Sequence, residues 1–382
     1  CLAIFLTLNV FAQSNEVGDT ISTDATWSAD TVKVVSDLTV ADGATLTINP
    51  GTFVQFQGHY QLKVNGRLLA VGAEADTIVF SPEDTTTGWK GIRFNNSNQY
   101  GGVNGAMDDN DSSKIVYCKV EYGRALGGDW ENRGGGVFVA AFPRLLIAHS
   151  AITHNYSDND GAGIHCRENA NIMIQNNAIK HNTSNRYCGG VYAYESTPQI
   201  FNNIIAYNTS NSDARGGGGV FLTDNASATL INNLIHHNAS SSSGGGVYCM
   251  KNSNASMINN TIVHNQGTLG DEGIYSTNCD LQIANSIIYY NGVSIHSSST
   301  NLSYSCIESG WGGSGTNNIT ADPSFENSAG ENYHITPESP CRDAGDNQAN
   351  PLWYDLDGAI RIQNDTIDMG AYEIYDEVET PT

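Results

Sequence analysis

Three acidic residues and one lysine occupy the same position in successive copies of a short repeated phrase. They are Glu168, Glu195, Asp224 and Lys251, each four residues after the Val or Ile of its phrase. If the strands stack about 4.8 Å apart, like charges at that spacing recruit a cation or raise one pKa. Oxygen ligands of this kind suit Ca²⁺. A row of three carboxylates therefore suits a calcium ion, although a solvated charge ladder at a turn is the favoured interpretation.

A second row of side chains directly follows the Val or Ile of each phrase. Because side chains alternate along a strand, an inward Val or Ile implies that its successor projects outward. Large rings usually prefer the core, so an outward stack of rings suggests a platform for sugar faces. The predicted substrate-binding residues are His165, Tyr192, Phe221, Tyr248 and Tyr275, together with Arg167 beside the acidic row. The alternative is a ladder that only stabilises strand pairing, or one covered by a loop at 95–113.

Six copies of the phrase generate these rows. They read GGVFV at 135–139, AGIHC at 162–166, GGVYA at 189–193, GGVFL at 218–222, GGVYC at 245–249 and EGIYS at 272–276. The second glycines recur after 27, 27, 29, 27 and 27 residues, and a fixed period of this size marks a solenoid. Three short strands and their turns fill about 27 residues, and each strand is expected to pair in parallel with its successor.

Each copy also carries a second signature that ends in asparagine. The asparagines are Asn155, Asn182, Asn208, Asn238, Asn265 and Asn291. We expect their amides to hydrogen-bond along one bend of the stack. Histidines precede four of them, at His154, His181, His237 and His264. Polar stacking is the favoured interpretation of these histidines, and a shared transition metal is the alternative.

Composition limits the function classes. The 382 residues include 40 glycines and carry a net charge of −23, so many tight turns are expected and nucleic acid is an unsuitable partner. Residues 1–13 are apolar and resemble a secretory signal, and no other stretch is long enough to span a membrane. The cysteines lack metal-like spacing. Cys306 with Cys341 is the one pairing that merits a test.

Several segments outside the repeat carry a resemblance. GATLTINPGTFV at 43–54, VNGRLLA at 64–70 and GWKGIRF at 88–94 resemble the start of secreted bacterial β-helix proteins. With the repeat, they make the chain similar to right-handed parallel β-helix proteins of the pectate-lyase-like superfamily. The resemblance implies an all-β solenoid with capping coils at 20–114, which include a projecting loop at 95–113. Regular coils of three short strands are then expected at 115–310.

The last part of the chain breaks the period. DPSF at 322–325, SPCRDAG at 339–345 and DMGAYE at 368–373 resemble the C-terminal domain of surface-anchored bacterial β-helix proteins. The resemblance implies a capping region at 311–375 that covers the open end of the helix, followed by the start of a linker at 376–382. An acidic turn is the favoured interpretation of Asp355, Asp357 and Asp368, and a Ca²⁺ site is the alternative.

The resemblance also implies a chemistry. In lyases of this superfamily, Ca²⁺ neutralises a uronate carboxylate and a Lys or Arg removes the C5 proton. Carried over, this implies a calcium site on Glu168, Glu195 and Asp224, with Lys251 as the base and Arg215 or Arg186 assisting. We therefore expect a secreted or cell-surface bacterial monomer that engages extracellular polysaccharide, acting as a lyase on a uronate-containing glycan. The alternative is a non-catalytic adhesin or carbohydrate-binding scaffold, which the low count of 17 Lys and Arg favours.

Overall fold

A computed structural model describes residues 14–96, 112–128, 130–142, 144–268, 273–292, 295–296, 299–308 and 310–375. These residues form short β-strands and two three-residue 3-10 helices, Ser328–Gly330 and Asn347–Ala349. Almost every strand pairs in parallel with the equivalent strand one coil later. The prediction of an all-β parallel β-helix is confirmed. The predicted signal at 1–13, most of the loop at 95–113 and the linker at 376–382 lie outside the described residues.

The Gly-Gly phrases lead into the first face of the helix, called face 1. Its strands are Leu62–Val64, Ile92–Asn95, Val137–Ala140, Ile164–Arg167, Val191–Tyr194, Val220–Thr223, Val247–Met250, Ile274–Thr277 and Ile295–His296. The predicted register is correct, since Val191 pairs with Val220 and Val220 with Val247. Consequently each position of the phrase forms a straight row along the helix axis.

Two further faces complete the cross-section. Face 2 consists of Ala25–Trp27, Thr45–Ile48, Arg67–Val71, Ser113–Val116, Leu145–Ala148, Met173–Gln175, Gln199–Phe201, Ser227–Ile231, Asn254–Ile258, Asp280–Ala284 and Thr300–Ser303. Face 3 consists of Ser14–Ile21, Thr31–Val40, Phe53–Phe56, Ile78–Pro82, Cys118–Glu121, Ala151–Thr153, Ala178–Lys180, Ile204–Ala206, Leu234–His236, Thr261–Val263, Ile287–Tyr289 and Cys306–Ile307. Thr31–Val40 continues past face 3 and pairs with Leu62–Val64, the first strand of face 1.

A fourth ladder was not predicted. Six two-residue strands follow face 3 and pair in parallel with one another: Arg124–Ala125, Tyr156–Ser157, Thr183–Ser184, Thr209–Ser210, Ala239–Ser240 and Gln266–Gly267. The turns between this ladder and the next Gly-Gly phrase extend to the outside of face 1. They therefore decide what covers that face.

Branched side chains fill the core as predicted. The inward Val or Ile of each phrase is fully buried, at Val137, Ile164, Val191, Val220, Val247 and Ile274. Burying a side chain of this size contributes about 1.5–3 kcal/mol. The coils at both ends of the helix are shorter than the regular coils. Leu46 pairs with Leu68, a step of 22 residues, and Ile283 pairs with Leu302, a step of 19 residues.

Buried asparagines hydrogen-bond along two bends. In the predicted row, each amide nitrogen donates to the side-chain oxygen of the next asparagine at 2.9–3.1 Å, from Asn155 to Asn291. A second ladder of the same kind runs from Asn177 through Asn203 and Asn233 to Asn260 at 3.0 Å per step. Buried amides must be paired to be tolerated, so these ladders fix the stacking of the coils.

The sequence predicts that the C-terminal region covers the open end of the helix. In the structure, this region also extends along one side of the helix. Its first part adds a partial rung, since Ser314 bridges Asn301 and Ile319 bridges Cys306. The remainder, including the hairpin of Phe325–Asn327 and Asn332–Ile335, returns along the outside of face 3. Its apolar residues cover the outward side chains of that face, such as Leu234, Val263 and Ile287.

Asparagines at the bend between faces 2 and 3 hold this returning segment. The Asn232 amide donates to the carbonyl of Tyr354 at 2.7 Å, and the Asn259 amide donates to the Asn350 side chain at 2.9 Å. The Asn285 amide donates to the carbonyl of Asp346 at 3.0 Å. We call residues 322–375 the lateral cap.

Candidate functional site

The acidic row lies at a bend and not on a strand. Glu168, Glu195, Asp224 and Lys251 each follow the last residue of a face 1 strand and adopt left-handed backbone angles, with φ between 45° and 55°. This conformation is disfavoured for non-glycine residues. Backbone hydrogen bonds to the next coil hold it. The Glu168 nitrogen donates to the Tyr194 carbonyl at 3.2 Å, and the Asn169 nitrogen donates to the Glu195 carbonyl at 2.7 Å. The residues stay aligned, as predicted, but the strand has already ended.

The three carboxylates do not converge on one point. Glu168 lies 3.7 Å from the Arg167 guanidinium, and Asp224 accepts hydrogen bonds from Lys251 and from Thr223. Among the described residues, the one group of three His, Cys, Asp or Glu side chains with metal-like spacing lies elsewhere, on face 3 and the lateral cap. The residues present therefore do not fit the predicted calcium site on Glu168, Glu195 and Asp224. Calcium binding by this protein stays a prediction.

The aromatic row forms a continuous stack but not an open platform. Ring centroids lie 5.2 Å apart for Phe138 and His165, 4.7 Å for His165 and Tyr192, and 5.4 Å for Tyr192 and Phe221. The stack continues through Tyr248 and Tyr275, and the first five rings are buried. Each ring presents its faces to its neighbours along the axis. Sugars cannot stack on those faces, so this part of the predicted binding surface is corrected.

His165 is enclosed completely. Its side chain is 0% exposed, and Nδ1 lies 3.3 Å from the carbonyl oxygen of Asp160. Burial and the nearby arginines lower the pKa of His165 well below its usual value, so the ring is neutral. His165 was predicted to contact substrate, but the structure makes it a component of the buried stack.

A cleft of about 230 Å³ lies on the outside of face 1. We call it the cationic cleft. The turns before the Gly-Gly phrases supply one wall, and the ends of the face 1 strands and the left-handed bends supply the other. Its lining residues are Trp130, Arg133, Asp160, Arg167, Arg186, Tyr187, Tyr192, Tyr194, Arg215, Phe221, Thr223, Asp224, Met250 and Lys251.

Seven predicted residues meet in this cleft. They are Arg167, Arg186, Tyr192, Arg215, Phe221, Asp224 and Lys251. The other predicted residues do not line it, namely Glu168, Glu195, His165, Tyr248 and Tyr275. The structure thus joins the arginines and the lysine of the sequence prediction into one site, and separates them from most of the aromatic row.

Positive charge dominates the lining. Five of the 17 Lys and Arg residues of the chain lie here, against two carboxylates, in a protein of net charge −23. Arg186 and Arg215 are exposed. Low-dielectric walls around charges of one sign concentrate the field, so the cleft is a local attractor for anions on an acidic protein.

Aromatic rings orient several of these cations. The guanidinium carbons of Arg133 and Arg167 lie 4.3 and 4.4 Å from the Trp130 ring centroid. Arg186 lies 4.5 Å from the Tyr187 ring. Cation–π contacts of this kind contribute about 0.5–2 kcal/mol each. They hold the long side chains in place, which reduces the entropy that binding a ligand must offset.

Arg93 supports the wall that carries Trp130 and Arg133. Its guanidinium nitrogens donate to the Trp130 carbonyl at 2.7 Å and to the Arg133 carbonyl at 3.0 Å, and its carbon lies 4.4 Å from the Phe138 ring. Desolvation lowers the pKa of Arg93 to about 10, so the group stays charged at neutral pH. Arg93 is the buried anchor of this turn.

Asp160 sits at the base of the cleft. Its side chain is buried, and Oδ2 accepts a 2.9 Å hydrogen bond from Arg133. Desolvation raises the pKa of Asp160 against the opposing effect of Arg133. Oδ1 is buried without a hydrogen-bond partner among the described residues.

Sequence reasoning missed Trp130, Arg133, Asp160 and Tyr187. They lie in the turns before the Gly-Gly phrases, where length and composition change from copy to copy. One signal was present: Arg133, like Arg186 and Arg215, lies a few residues before a Gly-Gly pair. The offset is two residues for Arg133 and three for the others.

Fold and site together define a parallel β-helix with a cation-lined cleft on one lateral face. A family model described as the right handed beta helix region matches residues 84–241 and 190–329. The chain belongs to this right-handed β-helix family. No curated protein matches the chain. Among the described residues, no helix is both long and apolar enough to cross a membrane.

Proposed function

We propose that the protein binds an acidic extracellular polysaccharide in the cationic cleft. The observation that carries the proposal is the concentration of Arg133, Arg167, Arg186, Arg215 and Lys251 in one cleft of a strongly acidic chain. Guanidinium groups bind carboxylate and sulfate oxygens with paired hydrogen bonds. This proposal includes the expected secreted or surface location.

A polymer suits this site better than a compact anion. The cations come from successive coils, which rise about 4.8 Å each, so they extend over roughly 20 Å along the axis. A linear chain with repeated charges can contact several of them at once. Each additional contact adds binding energy without a new cost of association.

Binding without catalysis is the form of the proposal that the geometry supports best. The aromatic faces in and beside the cleft are occupied by neighbouring rings or by guanidinium groups. Recognition of an uncharged sugar by ring stacking is therefore disfavoured. Charge and hydrogen bonding remain as the main source of affinity, as in a carbohydrate-binding scaffold or adhesin.

A lyase is the second candidate, because Lys251, Arg215 and Arg186 line the same cleft. Lys251 as the base would have to leave Asp224, whose two carboxylate oxygens both lie 3.0 Å from its Nζ. The test is ultraviolet absorbance of an unsaturated uronate product with pectate, alginate and glycosaminoglycans, with Ca²⁺ and with chelator. Product that disappears in Lys251→Ala supports the lyase. No product from the wild type rejects it and leaves the binding proposal standing.

Calorimetry tests the binding proposal directly. We expect polygalacturonate, alginate or a sulfated glycosaminoglycan to bind, an uncharged glucan to bind far more weakly, and affinity to fall with added salt. The double variant Arg186→Gln/Arg215→Gln should weaken binding at least about tenfold. Arg342→Gln on the lateral cap is the matched control. Equal affinity for charged and uncharged polymers, or an unaffected double variant, would overturn the proposal.

A further inference from the structure

Two adjacent histidines meet a glutamate where the lateral cap crosses face 3. The ligand atoms of His236, His237 and Glu331 all lie within 4.8 Å of one another. His236 and His237 are the last residue of the strand Leu234–His236 and the left-handed bend that follows it. Glu331 connects the 3-10 helix Ser328–Gly330 to the strand Asn332–Ile335. The group therefore joins the helix and the lateral cap, and none of its three residues lines the cationic cleft.

The two imidazoles face each other through the same ring nitrogen. Nδ1 of His236 lies 3.0 Å from Nδ1 of His237, and the rings are nearly perpendicular, with an interplanar angle of 82°. Without a cation, this contact requires one ring to carry its proton on Nδ1 and the other on Nε2. Two metal–nitrogen bonds of about 2.1 Å across this gap subtend roughly 90°, and separating the two nitrogens to about 3.4 Å would give the tetrahedral angle that Zn²⁺ prefers.

Contacts from the lateral cap orient the two imidazoles. Tyr333 packs edge-on against His236, with centroids 5.3 Å apart. Its hydroxyl lies 3.5 Å from Nδ1 of His237. Contacts of this kind fix the orientation of the rings that would bind a metal.

We infer that His236, His237 and Glu331 form a binding site for a divalent first-row transition ion such as Zn²⁺, which clamps the lateral cap to the helix. Imidazole nitrogens with one carboxylate select this class over Ca²⁺ and Mg²⁺, which prefer oxygen ligands. Water would complete the coordination, since Glu331 is exposed. Binding to the folded state alone raises stability by mass action.

The test uses the untagged full chain after chelator treatment. Zn²⁺ titrated by calorimetry should bind with a stoichiometry of one, raise Tm and slow hydrogen exchange in the hairpin 325–335. Ca²⁺ should do none of these. Co²⁺ in place of Zn²⁺ should give visible absorption bands from bound nitrogen ligands.

Matched variants distinguish a site from surface adsorption. His237→Asn keeps a residue that tolerates the left-handed bend, and Glu331→Gln keeps the size of an exposed side chain. Each should weaken Zn²⁺ binding at least about tenfold. His154→Asn, at the equivalent bend with φ 56°, and Glu326→Gln, on the same hairpin, should bind Zn²⁺ as the wild type does. Absent Zn²⁺ binding, or equal losses in variants and controls, would overturn the inference.

Discussion

Lys251 Nζ lies 3.0 Å from each carboxylate oxygen of Asp224, its counterpart one coil earlier in the row of left-handed bends. The lysine side chain is 47% exposed and the aspartate 24%. A pair this accessible contributes at most about 1 kcal/mol to stability. Its main effect is to neutralise one of the five cations of the cleft.

Removing the Asp224 carboxylate, which neutralises Lys251, should strengthen anion binding in the cationic cleft. Asp224→Asn releases the Lys251 ammonium to a ligand, so we expect affinity for an acidic polysaccharide to rise about two- to fivefold. The salt dependence should become steeper, as calorimetry at several NaCl concentrations would show. Lys251→Gln should weaken binding instead. Asp343→Asn, which removes the partner of Arg342 on the lateral cap, serves as control, and equal effects of both aspartate variants would refute this account.

The asparagine ladder should dominate the stability of the regular coils. Asn208 accepts from the backbone and amide nitrogens of Asn182 and donates to Ile179 and Asn238. Asn208→Ala leaves these buried groups unpaired, so we expect a loss of about 2–4 kcal/mol in urea unfolding. Asn211→Ala, at an exposed position three residues later, should change stability by less than about 0.5 kcal/mol. Similar losses at both positions would contradict the ladder's role.

His165 should make the protein acid-sensitive without contributing to binding. Its pKa is depressed in the folded state, so the unfolded chain takes up a proton that the folded chain excludes. Stability is therefore lost as pH falls below about 6.5. His165→Phe preserves stacking between Phe138 and Tyr192, and its stability should depend less on pH between about 7 and 5. Polysaccharide affinity should be unchanged, and a clear loss of affinity would restore the predicted contact role.

A buried carboxylate in the lateral cap should have the opposite effect on the pH dependence of stability, making the protein less stable as pH rises. Desolvation and Asp368 raise the pKa of Glu373 to about 8, despite the buried Arg361. Since the unfolded group ionises near 4.5, the folded state binds more protons between these values, and stability falls as pH rises through that window. In Glu373→Gln, the free energy of unfolding, measured in urea at a series of pH values, should depend less on pH. Exposed Glu338→Gln should leave it unchanged, and an unaltered slope in Glu373→Gln would contradict the assignment.

Cys306 and Cys341 provide a test of the proposed secreted location. Both are buried thiols, and the adjacent Cys341 thiol together with burial raises the pKa of Cys306. In an oxidising compartment, we expect them to form a disulfide that closes the last coil onto the lateral cap and adds about 3–4 kcal/mol. Mass spectrometry after alkylation in denaturant would show two protected thiols that reduction exposes. Cys166 is the free-thiol control and should be alkylated before reduction. If Cys306 and Cys341 are also alkylated before reduction, the disulfide is not formed.

The period of the sequence predicted a solenoid and its register, and the resemblance to β-helix proteins implied the right-handed β-helix. A 27-residue repeat requires equivalent positions to stack, so the inward position of Val191 and the ladder through Asn208 follow from spacing alone. Spacing does not reveal where a strand ends. Glu168 and Lys251 lie at left-handed bends because the neighbouring bends hold them there, which no property of glutamate or lysine indicates.

The site was harder to predict because its walls are the least periodic parts of the chain. Trp130 and Tyr187 lie in turns of variable length, so no register relates them to the rows of face 1. The lateral cap shows the same limit. Its contacts with Asn232 and Asn259 join residues far apart in sequence, and those asparagines repeat like many others in the chain.

A solenoid changes length only by whole coils. Because the side chains that line the cationic cleft come from successive coils, gain or loss of a coil would lengthen or shorten the row of charges in fixed increments, without disturbing the remaining core. The number of anionic units that the cleft can hold therefore changes in steps that correspond to whole coils. Size selectivity could evolve by duplication or deletion of repeats, separately from the substitutions that set affinity at each unit.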